Sequence, residues 1–197
     1  MADRSDVTRR DLLKRGAVFG GAVVWSTPMV QAIGMSRAYA QTSPVPGECV
    51  SQYAAAVAGA AQGLRRDGSA VDAIRSDTTA ALGAPDVGDG TFFSLGFGGS
   101  ITLQFVTPVP VGSGATIVVS ETTNGPYPLE MASVSVSQDG GSFTEVGIVN
   151  NVGTNSVSVA GISFPIQYVR VTDTSNSTLF PSNADGFDVN AVQIVCP

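Results

Sequence analysis

The 197-residue sequence predicts an all-β domain, a sandwich or a barrel, and two observations support this. Segment 92–105 has an apolar start, then glycines, then strict alternation that puts Ile101, Leu103 and Phe105 on one face. A period of two is typical of a half-buried strand, which we place centrally in a sandwich. The chain also contains twenty-three glycines and eleven prolines, which separate short runs rich in Val, Ser and Thr. Short strands separated by turn signals are typical of sandwiches and barrels.

The first 40 residues differ from the rest, since they hold six of the ten basic residues. Arg9 and Arg10, followed by two leucines, resemble the twin-arginine (Tat) export signal. A moderately apolar stretch and small residues follow, which predicts cleavage after Ala40. The alternative is a permanent membrane helix, but glycines, Ser26, Thr27 and Pro28 make the stretch a poor anchor.

We therefore predict three segments: a helical or unstructured signal peptide over 1–40 that is removed, a linker over 41–48, and a β-sandwich domain over 49–197. The chain after position 40 contains four arginines and thirteen acidic residues, which gives a net charge near -9. Such a surface repels nucleic acid and anionic lipid, so we expect no nucleic-acid partner and no membrane contact after signal removal. The expected location is periplasmic, cell-surface or secreted.

Local signals within the domain predict its elements in order. The alanine-rich segment 53–61 fits either a short helix or a small-residued first strand. Segment 77–90 reads as a loop that holds one helical turn capped by Asp77. Further strands are predicted over 115–121, 132–137, 143–148, 156–159, 167–172 and 187–195. The predicted core comprises Phe92, Ile101, Leu103, Phe105, Val134, Val136, Phe143, Tyr168, Val169 or Val171, and Phe187.

A set of short motifs spans nearly all of the predicted domain. The motifs occupy 62–69, 75–77, 81–86, 93–99, 136–140, 168–170 and 184–192. As a set they resemble a module of exported and cell-surface bacterial proteins, similar to the galactose-binding-like jelly-roll superfamily, which includes discoidin-type domains. The resemblance implies a jelly-roll β-sandwich in which the alanine-rich segment is the first strand. It does not fix a function, because that superfamily contains sugar binders, lipid binders and structural domains.

The two cysteines, Cys49 and Cys196, open and close the predicted domain. They are the only cysteines in a chain whose first segment predicts export to an oxidising compartment, which predicts a disulfide between them. Two free thiols or intermolecular bridges are the alternatives.

The residue types present exclude several kinds of catalysis. The chain has no histidine, no Cys-x-x-Cys spacing and no Gly-x-Ser-x-Gly motif, which argues against a zinc site and a serine hydrolase. A carboxylate-pair glycoside hydrolase is the remaining enzymatic hypothesis. Its candidate acids are Glu121, Glu130, Glu145, Asp185 and Asp188. The alternative is that these acids are solvated charges at strand ends and loops, and we expect the protein not to be an enzyme.

Two loop aromatics are candidate ligand-binding residues. Tyr127, between two prolines, and Phe180 could stack on a sugar ring, or could instead plug the end of the core. The chain after position 40 has no tryptophan, since Trp25 lies in the predicted signal.

No cofactor is firmly indicated, but oxygen-bearing side chains suggest structural Ca²⁺. The candidate ligands are Asp86, Asp89, Asp185, Asp188 and Asn190, the first two in a loop that the family pattern pairs with the others. The alternative is that the aspartates cap turns.

These observations favour an exported, non-catalytic binding or adhesion module whose partner is a glycan or an envelope protein. A structural envelope protein with a calcium-stabilised fold is the alternative.

Overall fold

The structure is a computed structural model that describes residues 47–88, 90–122 and 127–197. The Tat motif at Arg9 and Arg10, the cleavage site after Ala40 and the candidate ligand Asp89 lie outside the described residues. The strands are β1 (Gln52–Tyr53), β2 (Ala56–Ala61), β3 (Phe93–Ser94), β4 (Ser100–Val109), β5 (Thr116–Glu121), β6 (Met131–Ser137), β7 (Thr144–Asn150), β8 (Ser156–Ser158), β9 (Ile166–Asp173) and β10 (Asp188–Val195). In the described ranges, three short 3-10 helices cover Ala73–Arg75, Thr78–Ala81 and Ser177–Leu179.

The strands form two five-stranded antiparallel sheets, so the predicted all-β jelly-roll sandwich is confirmed. The first sheet has the order β1-β10-β5-β8, with β3 also paired to β10, and the second has the order β2-β4-β9-β6-β7. Among these ten strands, only β6 and β7 follow each other within one sheet, and at every other step the chain passes from one sheet to the other. Among the described residues, no helix has the length and apolarity needed to cross a membrane.

The core lies between the sheets and follows the predicted alternation in β4. Ile101, Leu103 and Phe105 are each at most 1% exposed. Ile101 and Leu103 pair with Val171 and Val169 of β9, which are also fully buried. One face of β4 packs on the core and the other lies on the outer face of the sheet, which explains the apolar period of two.

Two predicted core residues are placed wrongly, because Phe143 and Tyr168 are only half-buried. Tyr168 precedes the buried Val169, and neighbouring strand residues point to opposite faces, so its ring lies on the outer face. Phe143 lies just before β7, and the Arg170 guanidinium covers its ring. The Thr102 side chain is also on the outer face but is only 8% exposed, since it accepts a hydrogen bond from Arg170.

The alanine-rich segment forms strand β2 and not a helix. It pairs with β4 from Ala56 to Ala61, with a register shift between Val57 and Gly59. The predicted helical turn is present as Thr78–Ala81, and the Asp77 carboxylate caps it by accepting the Thr79 N–H.

The predicted disulfide between Cys49 and Cys196 is present, with 5.7 Å between the two Cα atoms. Strand β1 pairs with β10 next to it, Gln52 opposite Ile194, so the first and last strands of the domain are neighbours. The inference that both ends of the domain meet is therefore confirmed.

Close backbone packing fixes the loop between β3 and β4 against the end of β2. Gly96 has φ +70, and a Cβ there would lie 2.4 Å from the backbone of Gly63. A side chain at this position would therefore be strained and would clash. The buried Asp173 carboxylate completes the junction by accepting N–H hydrogen bonds from Gly98 and Phe187 at 2.9 and 3.1 Å.

Candidate binding site

Four carboxyl groups meet at the end of the sandwich where β10 begins. Asp188, the first residue of β10, pairs with Ser94 of β3, and the next residue pairs with Glu121 at the end of β5. Antiparallel register alone therefore brings three strand ends together. Glu130 precedes β6 and Asp185 precedes β10, and both interact electrostatically with this group. We call Glu121, Glu130, Asp185 and Asp188 the carboxylate cluster.

Burial makes part of this cluster hold protons at neutral pH. Glu130 is 3% exposed, and burial, the charges of Asp188 and Glu121 and a hydrogen bond with Glu121 raise its pKa far above the usual range. Burial also raises the pKa of Asp188 to about 8, although the hydrogen bond from the Ser94 hydroxyl opposes this. The cluster can therefore donate as well as accept hydrogen bonds.

Arg75 provides the positive charge at this end. Its Nη1 lies 3.2 Å from both carboxylate oxygens of Asp185, which is only 4% exposed. The guanidinium carbon also lies 5.1 Å from the ring centroid of Phe92. These two contacts hold the guanidinium in one orientation beside the cluster.

Tyr127 lies at the edge of the cluster. It is half-buried, and its pKa is raised by burial and then by the negative charges of Glu130, Asp185 and Asp188. Its ring centroid is 5.9 Å from that of Phe180.

Phe180 does not offer a free ring face on which a sugar could stack. It is 1% exposed and packs edge-on against Phe97, with 5.4 Å between ring centroids. Its ring faces are covered by protein, which favours the alternative that it plugs the end of the core. Tyr127 is then the remaining candidate for stacking on a ligand.

The four described candidate calcium ligands, Asp86, Asp185, Asp188 and Asn190, are brought to the same end, as the resemblance implied, but protein groups already contact their polar atoms. Asn190 clamps the loop at Asp86, accepting its N–H at 2.9 Å and donating to its carbonyl at 2.7 Å. Asp188 bonds Ser94, and Asp185 bonds Arg75. Within 47–88, 90–122 and 127–197, no group of three or more acidic, cysteine or histidine residues has the arrangement of a metal site. Calcium binding stays a prediction.

Four of the five acids proposed for a glycosidase meet in the carboxylate cluster, and Glu145 does not. Glu130 and Glu121 are in hydrogen-bond contact, closer than the roughly 5 Å or more that separates the two carboxyl groups in either class of glycosidase. Glu145 is exposed on β7, in the other sheet from β10. The Glu121–Glu130 pair therefore lacks the separation that either class of glycosidase requires.

The sequence pointed to each acid of the cluster but not to their juxtaposition. Arg75, Ser94 and Phe92 were missed as members of this site. For Ser94, and for Phe92 just before β3, the signal would have been the register between β3 and β10, which the alternation within one strand does not give. Arg75 lies in a 3-10 helix outside these strands.

Comparison with known proteins adds distant structural likenesses. No protein-family model matches the sequence, and no curated protein matches it either. The "CBM32 of AlyQ in complex with 4,5-unsaturated mannuronic acid" is 20% identical, with a TM-score of 0.40, over 74% of this chain and 98% of that one. A truncated AlyQ with CBM32 and alginate lyase domains is 16% identical, with a TM-score of 0.40, over 76% of this chain and 34% of that one.

A third structure, a GH31 CBM32-2 bound to GalNAc, is 12% identical, with a TM-score of 0.33, over 76% of this chain and 99% of that one. All three likenesses are too distant to define a family or a ligand for this chain.

Proposed function

We propose that this protein is an exported, non-catalytic carbohydrate-binding domain that holds its ligand at the carboxylate cluster. The observation that carries this proposal is the position of Tyr127, a half-buried aromatic ring beside a group of buried hydrogen-bonding side chains. A sugar offers an apolar C–H face to an aromatic ring and hydroxyl groups to planar polar side chains.

The cluster supplies hydrogen-bonding groups of both kinds. Asp185 is an acceptor, Arg75 is a donor, and the protonated Glu130 can do both. Because Arg75 and Asp185 already hold each other, little ordering is needed when a ligand binds, which favours affinity. Glu130 and Glu121 are in hydrogen-bond contact, so these two acids lack the separation of a glycosidase pair.

The test is binding of the 49–197 domain to a glycan array and, for any hit, calorimetry. Tyr127→Ala should weaken binding at least tenfold, whereas Tyr127→Phe should keep most of it because the ring remains. Tyr53→Ala is the matched control. Tyr53 lies on β1 and pairs with Gln193, near the C-terminal end of β10, whereas the carboxylate cluster lies where β10 begins. No glycan bound by the wild type, or equal binding by Tyr127→Ala with an unchanged melting temperature, would refute the proposal.

The structural alternative predicts a different result. If the domain acts in the envelope by contacting other proteins, a pull-down from envelope fractions would return a reproducible protein partner while the glycan array stays blank.

Export by the twin-arginine route is part of the proposal and is supported by the arginine pair and the basic first segment. That route carries folded cargo, so the domain would fold before its disulfide forms. Lysine replacement of both Arg9 and Arg10 should stop processing of the precursor, visible as loss of the shorter mature form. Replacement of Arg15 alone is the control.

A further inference from the structure

The outer face of the second sheet presents polar side chains around one arginine. Thr102 of β4, Arg170 of β9 and Ser135 of β6 are register partners and form one row across three strands. In the neighbouring row, Gln104 lies opposite Tyr168. This surface belongs to a different sheet from β3, β5 and β10, which build the carboxylate cluster.

Arg170 is held in place by two contacts on this face. Its guanidinium carbon lies 3.7 Å from the centroid of the Phe143 ring, and its Nε donates a hydrogen bond of 3.1 Å to the Thr102 hydroxyl. Stacking and this bond together fix the plane of the guanidinium and leave its two Nη groups as donors for a ligand.

The charge of Arg170 is not neutralised within the described residues. Arg65 and Arg75 each form an ion pair, with Asp72 and Asp185, but no carboxylate of the described residues lies within ion-pair distance of Arg170. Glu145 is the acid on the same row, opposite Ser135 on the far side of β6, and it forms no ion pair with Arg170 either. An unneutralised guanidinium in a domain of net negative charge marks a position where an anionic group is favoured.

A second aromatic ring lies beside this arginine. Tyr168 is half-buried, and its ring packs over the turn at Gly140, where a Cβ would stand 3.5 Å from the ring carbons. The surface therefore combines two half-buried aromatic rings, one guanidinium held by two contacts, and hydroxyl and amide side chains. We call Thr102, Gln104, Phe143, Tyr168 and Arg170 the arginine face.

We propose that the arginine face is a second binding site, and that its ligand is a uronate-bearing polysaccharide. The planar guanidinium matches a carboxylate with two parallel hydrogen bonds, and the flanking Gln104 and Ser135 can bond sugar hydroxyls. The half-buried ring of Tyr168 provides an apolar surface for a pyranose ring. This proposal does not depend on Tyr127, so it stands or falls separately from the function proposed above.

The experiment measures binding of the 49–197 domain to polygalacturonate, polymannuronate and polyguluronate by calorimetry, in sodium buffer with EDTA. We expect binding to at least one polymer, and loss of that binding when the carboxylates of the same polymer are methyl-esterified. Arg170→Gln should weaken binding at least tenfold. Arg170→Lys should weaken it too, because a lysine keeps the charge but loses the planar fork.

Two controls separate binding from net charge and from folding. Arg66→Gln removes the same charge from an exposed arginine outside the arginine face and should bind as the wild type does. Thr102→Val keeps the side-chain shape but loses the hydroxyl that orients Arg170, and should weaken binding with a near wild-type melting temperature. Tyr127→Ala should leave uronate binding unchanged.

The proposal is overturned if none of the three polymers binds, or if the methyl ester binds as well as the acid. It is also overturned if folded Arg170→Gln binds as the wild type does, or if Arg66→Gln weakens binding as much as Arg170→Gln.

Discussion

Replacing Glu130 by glutamine should remove a large part of the pH dependence of stability. Glutamine has nearly the same shape and still forms hydrogen bonds, but it cannot ionise. In the folded protein, burial and the neighbouring acids raise the pKa of Glu130 well above the usual value near 4.5. In the unfolded chain, we expect this residue to ionise at its usual value.

The sign of the effect follows from proton binding. Above about pH 4.5 the unfolded chain releases the Glu130 proton while the folded protein keeps it, so folding takes up a proton. The stabilisation is therefore fully present below the unfolded pKa and is lost as the pH rises toward the folded pKa. One proton corresponds to about 1.4 kcal/mol per pH unit. Between about pH 5.5 and about pH 7.5, the wild type should lose up to roughly 3 kcal/mol through this residue.

Urea unfolding at several pH values measures this, followed by circular dichroism because the domain has no tryptophan after Trp25. Glu130→Gln should gain stability relative to the wild type as the pH rises, by up to roughly 3 kcal/mol over those two units. Asp173 and Asp188, whose pKa values are also raised, are present in both proteins, so their contributions largely cancel. Glu145→Gln, an exposed acid on β7, is the control. Parallel curves for Glu130→Gln and the wild type would refute the reasoning.

Three further predictions concern the core, the disulfide and calcium. Leu103→Ala should lower the free energy of unfolding in urea by about 2–5 kcal/mol, since Leu103 is fully buried. Gln104→Ala, on the outer face, should lower it by less than about 0.5 kcal/mol. Equal losses would contradict the assignment of Leu103 to the inner face and Gln104 to the outer face. Replacing Cys49 and Cys196 by alanine should lower the free energy of unfolding by at most about 5 kcal/mol, given the 147-residue separation. Two alkylatable thiols in exported wild-type protein would show that the disulfide does not form in that protein. If Ca²⁺ binds, it should raise the melting temperature more at pH 7.5 than at pH 5.5, because it must displace protons from Asp188. A melting temperature unchanged by EDTA, together with no heat on calorimetric titration with Ca²⁺, would show that the site does not exist.

The alternation of apolar residues was enough to predict the fold class and the inner face of β4. It failed at Tyr168 and Phe143, because these residues were assigned to the core from their aromatic side chains without regard to which face of the sheet their positions occupy. Tyr168 is one residue from Val169, so the two cannot both point inward. Phe143 is held on the outer face by Arg170, a long-range contact that no local pattern contains.

The candidate site was predictable only as a set of residue types. Asp188 and Glu130 stood out as acids near strand ends, but their protonation depends on burial next to Glu121, which follows from how β3, β5 and β10 pair. The pairing of strands distant in sequence depends on packing across the whole domain. The Arg75–Asp185 ion pair joins residues 110 positions apart and could not be inferred for the same reason.

The disulfide also determines how the domain can be combined with other chains. The chain enters at Cys49 and leaves at Cys196, two points only 5.7 Å apart. The carboxylate cluster lies at the opposite end of β10, an eight-residue strand of about 25 Å. Domains with adjacent entry and exit points can be inserted into loops of other proteins or joined in tandem with little disturbance. Grafted in this way onto a carrier or a solid support, the domain would keep its carboxylate cluster at the end away from the attachment point.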